Sequence, residues 1–212
     1  MALFRAEADE ITMTPEKKSA FVYGDRQSCE EICLALARDG YAVGFTHSPS
    51  DGDAARELAR SVESLGGRAV ACPAETPSAE ELSRSVVACA ESFGGISALV
   101  FARRGQELPG GALLLDLDES DWDAAACEAK AFFLLCKYAL PYLINEDGAR
   151  LMVLDRFDEG APIPGLVFGH ALETAARSVA AELAWYGVSV LYKNMREDET
   201  ISGVLASYGA RQ

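Results

Sequence analysis

The stretch Ala20-Phe-Val-Tyr-Gly-Asp-Arg-Gln-Ser-Cys-Glu-Glu-Ile-Cys-Leu-Ala-Leu-Ala-Arg-Asp-Gly-Tyr-Ala-Val-Gly-Phe45 decides the fold. Ala20 to Tyr23 is a short apolar run that ends at Gly24. Cys29, Ile32, Cys33 and Leu36 then recur at i, i+3, i+4, i+7 spacing and stop before Gly40. The apolar period changes at the first glycine from an extended run to a helical one, which is strand, turn and amphipathic helix. Tyr41 to Phe45 reads as the next strand.

The alternation continues along the chain. Ala55, Leu58, Val62 and Leu65 form a second amphipathic helix closed by Gly66 and Gly67, and Ala69 to Cys72 is a third strand. Ser78 with Glu81 makes a capping box for a helix carrying Leu82, Val86, Cys89 and Phe93, which ends at Gly94 and Gly95. Ile96 to Ala102 is nearly all apolar, as a parallel strand covered on both faces should be. A long helix from about Asp121 to Asn145 follows. Next come a strand at Leu151 to Leu154, a Gly/Pro-rich loop at Gly160 to Gly165, a helix from about Phe168 to Trp185 and a strand at Val188 to Tyr192. Each crossover helix must bury its stripe on a sheet face. The expected fold class is therefore α/β: a Rossmann-like, doubly wound parallel sheet of about six strands in a three-layer αβα single domain. It spans residues 17–195, with an N-terminal arm at 1–16 that holds an alternative start at Met13 and a short C-terminal tail at 196–212.

Half of the 212 residues are hydrophobic and a quarter charged, the composition of a globular protein. The 19 Lys and Arg against 33 Asp and Glu leave a net charge of −14, whose field repels phosphate backbones and anionic membranes. Nucleic acid and membrane are excluded as partners on that ground. Arg5, Glu7, Asp9 and Glu10 stand where a secretory leader needs an apolar run, and the expected location is cytoplasmic. Six cysteines without Cys-x-x-Cys spacing, and two distant histidines, His47 and His170, read as small buried hydrophobes and surface groups rather than as a metal or redox site.

From about Lys17 to Met195 the chain resembles the short-chain dehydrogenase/reductase family. The likeness is carried by Leu34-Ala-Leu-Ala-Arg-Asp-Gly-Tyr-Ala-Val43, Glu91-Ser-Phe-Gly-Gly95, Phe133-Leu-Leu-Cys-Lys-Tyr-Ala-Leu-Pro141 and Arg177-Ser-Val-Ala-Ala-Glu-Leu-Ala-Trp-Tyr-Gly-Val188. These are framework stretches; they imply fold, not chemistry. The resemblance implies a dinucleotide turn of the form Thr-Gly-x-x-x-Gly-x-Gly, whose glycines let the backbone approach a pyrophosphate at a helix N-terminus. The matching run keeps Gly24 and carries Arg26, but places Ser28 and Glu30 at the other two glycine positions. Ser28 and Glu31 form a capping box by which the helix satisfies its own amides. Glu30 and Glu31 bring carboxylates to where phosphates would lie. At about 4 to 6 Å such like charges repel by about 1 to 4 kcal/mol, with Arg26 as a partial offset.

The resemblance also implies an Asn-Asn-Ala-Gly run after the fourth strand, where this chain has Phe101-Ala-Arg-Arg104. The Asn of the long helix falls on Glu128 or Ala129, the adenine-contacting Asp on Ala74 and the catalytic Ser on Arg156. The Tyr-x-x-x-Lys signature falls on Gly165-Leu-Val-Phe-Gly169. In the family that Tyr is the general acid or base of hydride transfer, and the Lys lowers its pKa and holds the nicotinamide ribose. No tyrosine lies between Leu143 and Trp185 and no lysine between Tyr138 and Tyr192, so no shift of alignment restores the pair. The family's Pro-Gly after the sixth strand falls on Met195 and Arg196, and its substrate lid and last strand are absent from the pattern.

Two uses remain for the strand-end positions. Arg103, Arg104, Arg156 and His170, with Asp155, Asp158 and Glu159 near them, form either an anion- or ligand-binding crevice or a solvated charged rim. The expected function is a non-catalytic scaffold, regulatory subunit or small-ligand binder on this fold, with no catalytic residue, no metal and no cofactor; Gly24, Arg26 and Ser28 are the vestige of a cofactor turn. The alternative is an NAD(P)-dependent oxidoreductase with atypical residues. The helices at 121–145 and 168–185, apolar on more than one face, are expected to build a homodimer or higher oligomer, or a hetero-oligomer with an intact paralogue.

Overall fold

The run Ser19–Tyr23 forms β1, fully buried, because every residue in it except Ser19 is apolar and both of its faces are covered. The computed structural model describes residues 18–74, 78–103, 114–156, 161–196 and 199–209. The arm at 1–16 lies outside the described residues. After β1 the elements are α1 (Arg26–Arg38), β2 (Ala42–His47), α2 (Gly52–Ser64), β3 (Ala69–Pro73), α3 (Ala79–Phe93) and β4 (Ala98–Ala102). They are followed by α4 (Glu119–Leu143), β5 (Arg150–Asp155), α5 (Ile163–Leu183), β6 (Ser189–Asn194) and α6 (Ile201–Gly209). All six strands are parallel, in the order β3-β2-β1-β4-β5-β6. The winding reverses between β1 and β4, which makes the sheet doubly wound as the alternation requires.

Strand pleating sends alternate residues to two cores. Phe21, Tyr23, Leu99, Phe101, Leu151 and Val153 face α3, α4 and α5. Ala20, Val22, Val43, Phe45, Val100 and Met152 face α1, α2 and α6. Tyr23 stacks on Phe101 at 5.1 Å, and Phe101 meets Phe132 of α4 edge-on at 5.3 Å. Gly44 marks where α3 comes nearest the sheet: a Cβ there would lie 2.6 Å from the Cys89 Sγ and 2.9 Å from its Cβ. Gly94, at φ +86, closes α3 in the left-handed conformation that glycine accepts without strain.

Several boundaries differ from those read in the sequence. The cap of α1 is Asp25, not Ser28: the Asp25 carboxylate accepts the Ser28 N–H at 2.7 Å, and the helix opens two residues before Ser28, at Arg26. Asp25 holds an extended backbone at the end of β1, the conformation an N-cap needs, so it wins the amides first. Glu31 instead reaches α6 and accepts the Ser202 N–H at 3.1 Å and its hydroxyl at 3.4 Å. Ser78 does cap α3 through the Glu81 N–H at 3.0 Å, but Glu81 Oε2 is buried without a partner, so the box is half made. The long helix opens at Glu119 because Asp118 and Asp121 form a complete capping box there.

The Gly/Pro-rich segment is also shorter than expected. Helix α5 begins at Ile163, five residues before Phe168, so Gly165 and Gly169 are helical and not in a loop before the helix. Pro162 at the cap and Pro164 in the first turn suit a helix start, where a missing N–H costs nothing. The C-terminal tail is not featureless: Ile201 and Leu205 of α6 are buried with Met195 beside α1. Replacing Gly44 by Ala should destabilise the protein by about 1 to 3 kcal/mol through overpacking. Cys89→Ala in the same chain should relieve part of that loss, as a double-mutant cycle by denaturant unfolding will show.

Candidate functional site

In an open α/β sheet the groups that bind ligands stand at the carboxyl ends of the strands, nearest the point where the winding reverses. Here that edge begins at Gly24. Its position is crowded: a Cβ on Gly24 would lie 3.2 Å from the Ala102 Cβ and 3.3 Å from the Ser28 Cβ. Over the β1–β4 junction the Tyr23 hydroxyl donates to the Glu128 carboxylate of α4 at 3.2 Å. Glu128 thus stands beside the reversal point as a partner of β1.

Beside α1, between β2 and α2, the edge opens into a cavity of about 400 Å³ lined in part by Gly24, Asp25, Arg26, Glu30, His47 and Glu57. The His47 ring nitrogen Nδ1 lies 2.8 Å from the Ser48 carbonyl, which ties the end of β2 to the turn that follows.

At the other end, past β4 and β5, lies a buried charge pair. Asp155, with no solvent exposure, closes β5, and its Oδ1 takes the Arg103 Nε at 2.6 Å. The same oxygen accepts the Arg156 N–H at 2.8 Å, and the Tyr192 hydroxyl donates to Oδ2 at 3.3 Å. Arg103 donates further to the Gly165 carbonyl at 3.1 Å and to the Arg156 carbonyl at 3.5 Å. One guanidinium therefore joins β4, β5 and the first turn of α5. Burial pushes the Asp155 carboxyl up from its ordinary pKa, and Arg103, the Arg156 amide and Tyr192 pull it part of the way back. Burial and the Asp155 charge together raise the Tyr192 phenol.

The sequence candidates are placed unequally. Arg103 belongs to the Asp155 network. Arg156 contributes its backbone to that network while the residue as a whole is exposed. His170 stands on the exposed face of α5, 3.9 Å from Glu173. Arg104, Asp158 and Glu159 lie outside the described residues. Gly24, Arg26 and Ser28 gather at the α1 corner, as the turn requires. Tyr192 was missed by sequence reasoning. Its only signal is register: it pairs with Val153 in the neighbouring strand, so it shares a face with Asp155 two residues on. Among the described residues no group of three His, Cys, Asp or Glu is placed to hold a metal, and no helix is long and apolar enough to cross a membrane.

Comparisons agree with this architecture. The family model described as enoyl-(acyl carrier protein) reductase matches residues 29–191, and the chain belongs to that family, within the short-chain dehydrogenases/reductases. Among curated proteins none matches significantly. Among solved structures, a short-chain dehydrogenase/reductase from Serratia marcescens superposes with a TM-score of 0.72 at 24% identity, over 84% of this chain and 73% of that one. A dehydrogenase/reductase from Sinorhizobium meliloti superposes at 0.70 and 22% identity, over 89% of this chain and 78% of that one. At these identities the likeness is one of fold.

The family typically binds NAD(P), and three features of this chain bear on such a group. The Ser28 amide, the third of α1, is taken by Asp25, the Ser28 Cβ lies against Gly24, and glycines stand at 165 and 169 in α5. The Asp155 network makes a test of its own. Because the folded carboxyl holds its proton more tightly than the unfolded one, stability from this group falls as pH rises from about 4, the unfolded Asp value. Asp155→Asn, which strands Arg103, should be destabilising, and its deficit relative to the parent should shrink as pH climbs through that window. Chemical unfolding at a series of pH values reads this difference, and a deficit that widens instead would show the carboxylate to be the favoured form.

Proposed function

We propose that this chain keeps the family's fold without its hydride-transfer chemistry and acts as a scaffold, regulatory subunit or small-ligand binder. The observation that supports this most is α5. The two positions that supply a proton donor and its lysine in the family are Gly165 and Gly169, on a helix whose first turn is held to Arg103. Glycine has no side chain with which to donate a proton or bind a ribose. Where the crevice would receive a carbonyl substrate, Arg103, Asp155 and Tyr192 satisfy one another instead. An anion at Arg103 would have to compete with a buried carboxylate 2.6 Å away.

A second reading, an NAD(P)-dependent oxidoreductase with atypical residues, has one observation in its favour: Tyr192 is a phenol on β6 that reaches Asp155 at the carboxyl end of β5. Its environment opposes the role. An acid–base tyrosine needs its pKa lowered toward neutrality by a cation, and here burial and Asp155 push it upward. Incubation of the purified protein with NADPH or NADH and a panel of ketones, aldehydes and enoyl thioesters should give no oxidation of the nucleotide above the blank. Turnover that disappears in Tyr192→Phe would establish the second reading.

The partner we propose is a second copy. Phe133 of α4 is 62% exposed, and Trp122, Ile163 and Val167 are exposed on the same helix pair, whose rings Trp122 and Phe168 meet at 5.0 Å. Along α5 one exposed stripe, Ile163, Val167, Ala171, Thr174, Ser178 and Ala181, carries no charge and leads to Trp185, which is 91% exposed, while the exposed Arg177 and Glu182 lie outside that stripe. Surfaces of this kind are covered in stable proteins. Light scattering at micromolar concentration should report a dimer mass, and Phe133→Glu should convert it to a monomer that keeps its helical circular dichroism. A monomeric parent protein would remove the proposal.

A further inference from the structure

Three carboxylates of the chain itself stand along the ligand edge of the sheet. Asp25 holds the Ser28 amide at 2.7 Å, Glu128 accepts the Tyr23 hydroxyl at 3.2 Å, and Asp155 takes Arg103 at 2.6 Å. A helix N-terminus attracts an anion because its first amides are unpaired and its dipole is positive there. In α1 part of that attraction is met from within, by the Asp25 carboxylate on the third amide, that of Ser28. The helix starts at Arg26, and a serine Cβ rather than a glycine packs against Gly24 at this turn, which narrows the room for a pyrophosphate.

The cavity of about 400 Å³ beside this turn carries the same sign. Its lining includes the carboxylates Asp25, Glu30, Asp51 and Glu57, against Arg26 as the one arginine or lysine. Glu30 and Glu57 belong to exposed residues, on α1 and α2, so they meet an incoming ligand before it reaches the turn. One guanidinium does not offset four carboxylates at ordinary ionic strength, where charges within about 8 Å still act on one another.

We infer that this corner has changed the charge class of what it admits: Asp25 occupies the role of a ligand phosphate, and the cavity excludes dinucleotides and other phosphate-bearing anions. The ligands open to it carry no phosphate. The inference deepens the non-catalytic reading and rests on it for the identity of the site, but it concerns binding alone.

The experiment titrates ADP and NADPH into the full-length protein by calorimetry, up to millimolar ligand, at low and at high sodium chloride. No dissociation constant tighter than about 1 mM is expected at low salt, and added salt should strengthen the residual binding, because it screens repulsion. A site that attracts phosphate through cations responds with the opposite sign. Glu30→Gln with Glu57→Gln, both at exposed positions, should tighten ADP by about tenfold, the scale of removing two like charges several ångströms away in solvent. A thermal melt checks that the variant is folded, and the salt series needs no variant.

A dissociation constant below about 1 mM at low salt for either nucleotide in the parent protein overturns the inference. So does binding that salt weakens, or a folded variant with no gain. NADPH bound tightly without carbonyl reduction ends this inference and leaves the non-catalytic reading intact. Reduction of a carbonyl at the expense of NADPH ends both.

Discussion

A carboxylate with no solvent exposure must be neutralised or met by donors, and Asp155 at the end of β5 is met by three. The need is large: an unpaired buried charge costs several kcal/mol, more than any single surface contact returns. Each donor comes from a different place. Arg103 leaves the end of β4, Tyr192 rises from β6 and the Arg156 amide follows from the next residue, so the three strands are held in register at the edge where a ligand would otherwise approach. Because Arg103 also takes the Gly165 carbonyl, the same pair sets where the first turn of α5 lies. The buried pair therefore ties the start of α5 to the ends of three strands. It is not a source of net stability in itself.

The reversal of winding between β1 and β4 presents the complementary case. Doubly wound sheets leave a gap there because the helices before and after the reversal pass to opposite faces. In this chain the gap is narrowed by its own side chains. Tyr23 lies flat on Phe101, its hydroxyl is satisfied by Glu128, and a Cβ at Gly24 would press on Ser28 and Ala102. A buried tyrosine needs a partner for its hydroxyl, and the Glu128 carboxylate on α4 supplies it. Aromatic packing and polar satisfaction here point inward, toward the protein, and not toward a bound molecule.

The buried thiols follow the same logic. Burial raises the Cys72 thiol to about 11 and those of Cys89 and Cys136 to about 12, which leaves them as neutral hydrophobes at physiological pH. Cys89 does its part by size: it sits against Gly44 and fixes how near α3 approaches β2. The outward faces of α4 and α5 contrast with this economy. They expose large apolar side chains, and the ring contact of Trp122 on Phe168 between these helices uses part of that surface.

Much of the fold was legible in the chain because its signals are local. Apolar runs of four to seven residues marked every strand, helical periodicity marked α1 to α3, and the strict alternation of the two left a parallel, doubly wound sheet as the arrangement that buries every stripe. The absence of tyrosine and lysine from the α5 region was equally plain, since an absence does not depend on alignment. Other features required the assembled structure. Asp25 and Ser28 are both good caps by composition, and the choice fell to Asp25 because β1 delivers it in an extended conformation directly ahead of the helix. Glu31, read as half of a local box, is turned to Ser202, 171 residues away, because α6 packs on α1. Arg103 and Arg156 looked alike as strand-end cations, yet one is buried on Asp155 and the other is exposed. Period and propensity are set by near neighbours in sequence, whereas the partner of a polar side chain is set by which strands the sheet order places side by side, and that order exists only once the chain has folded.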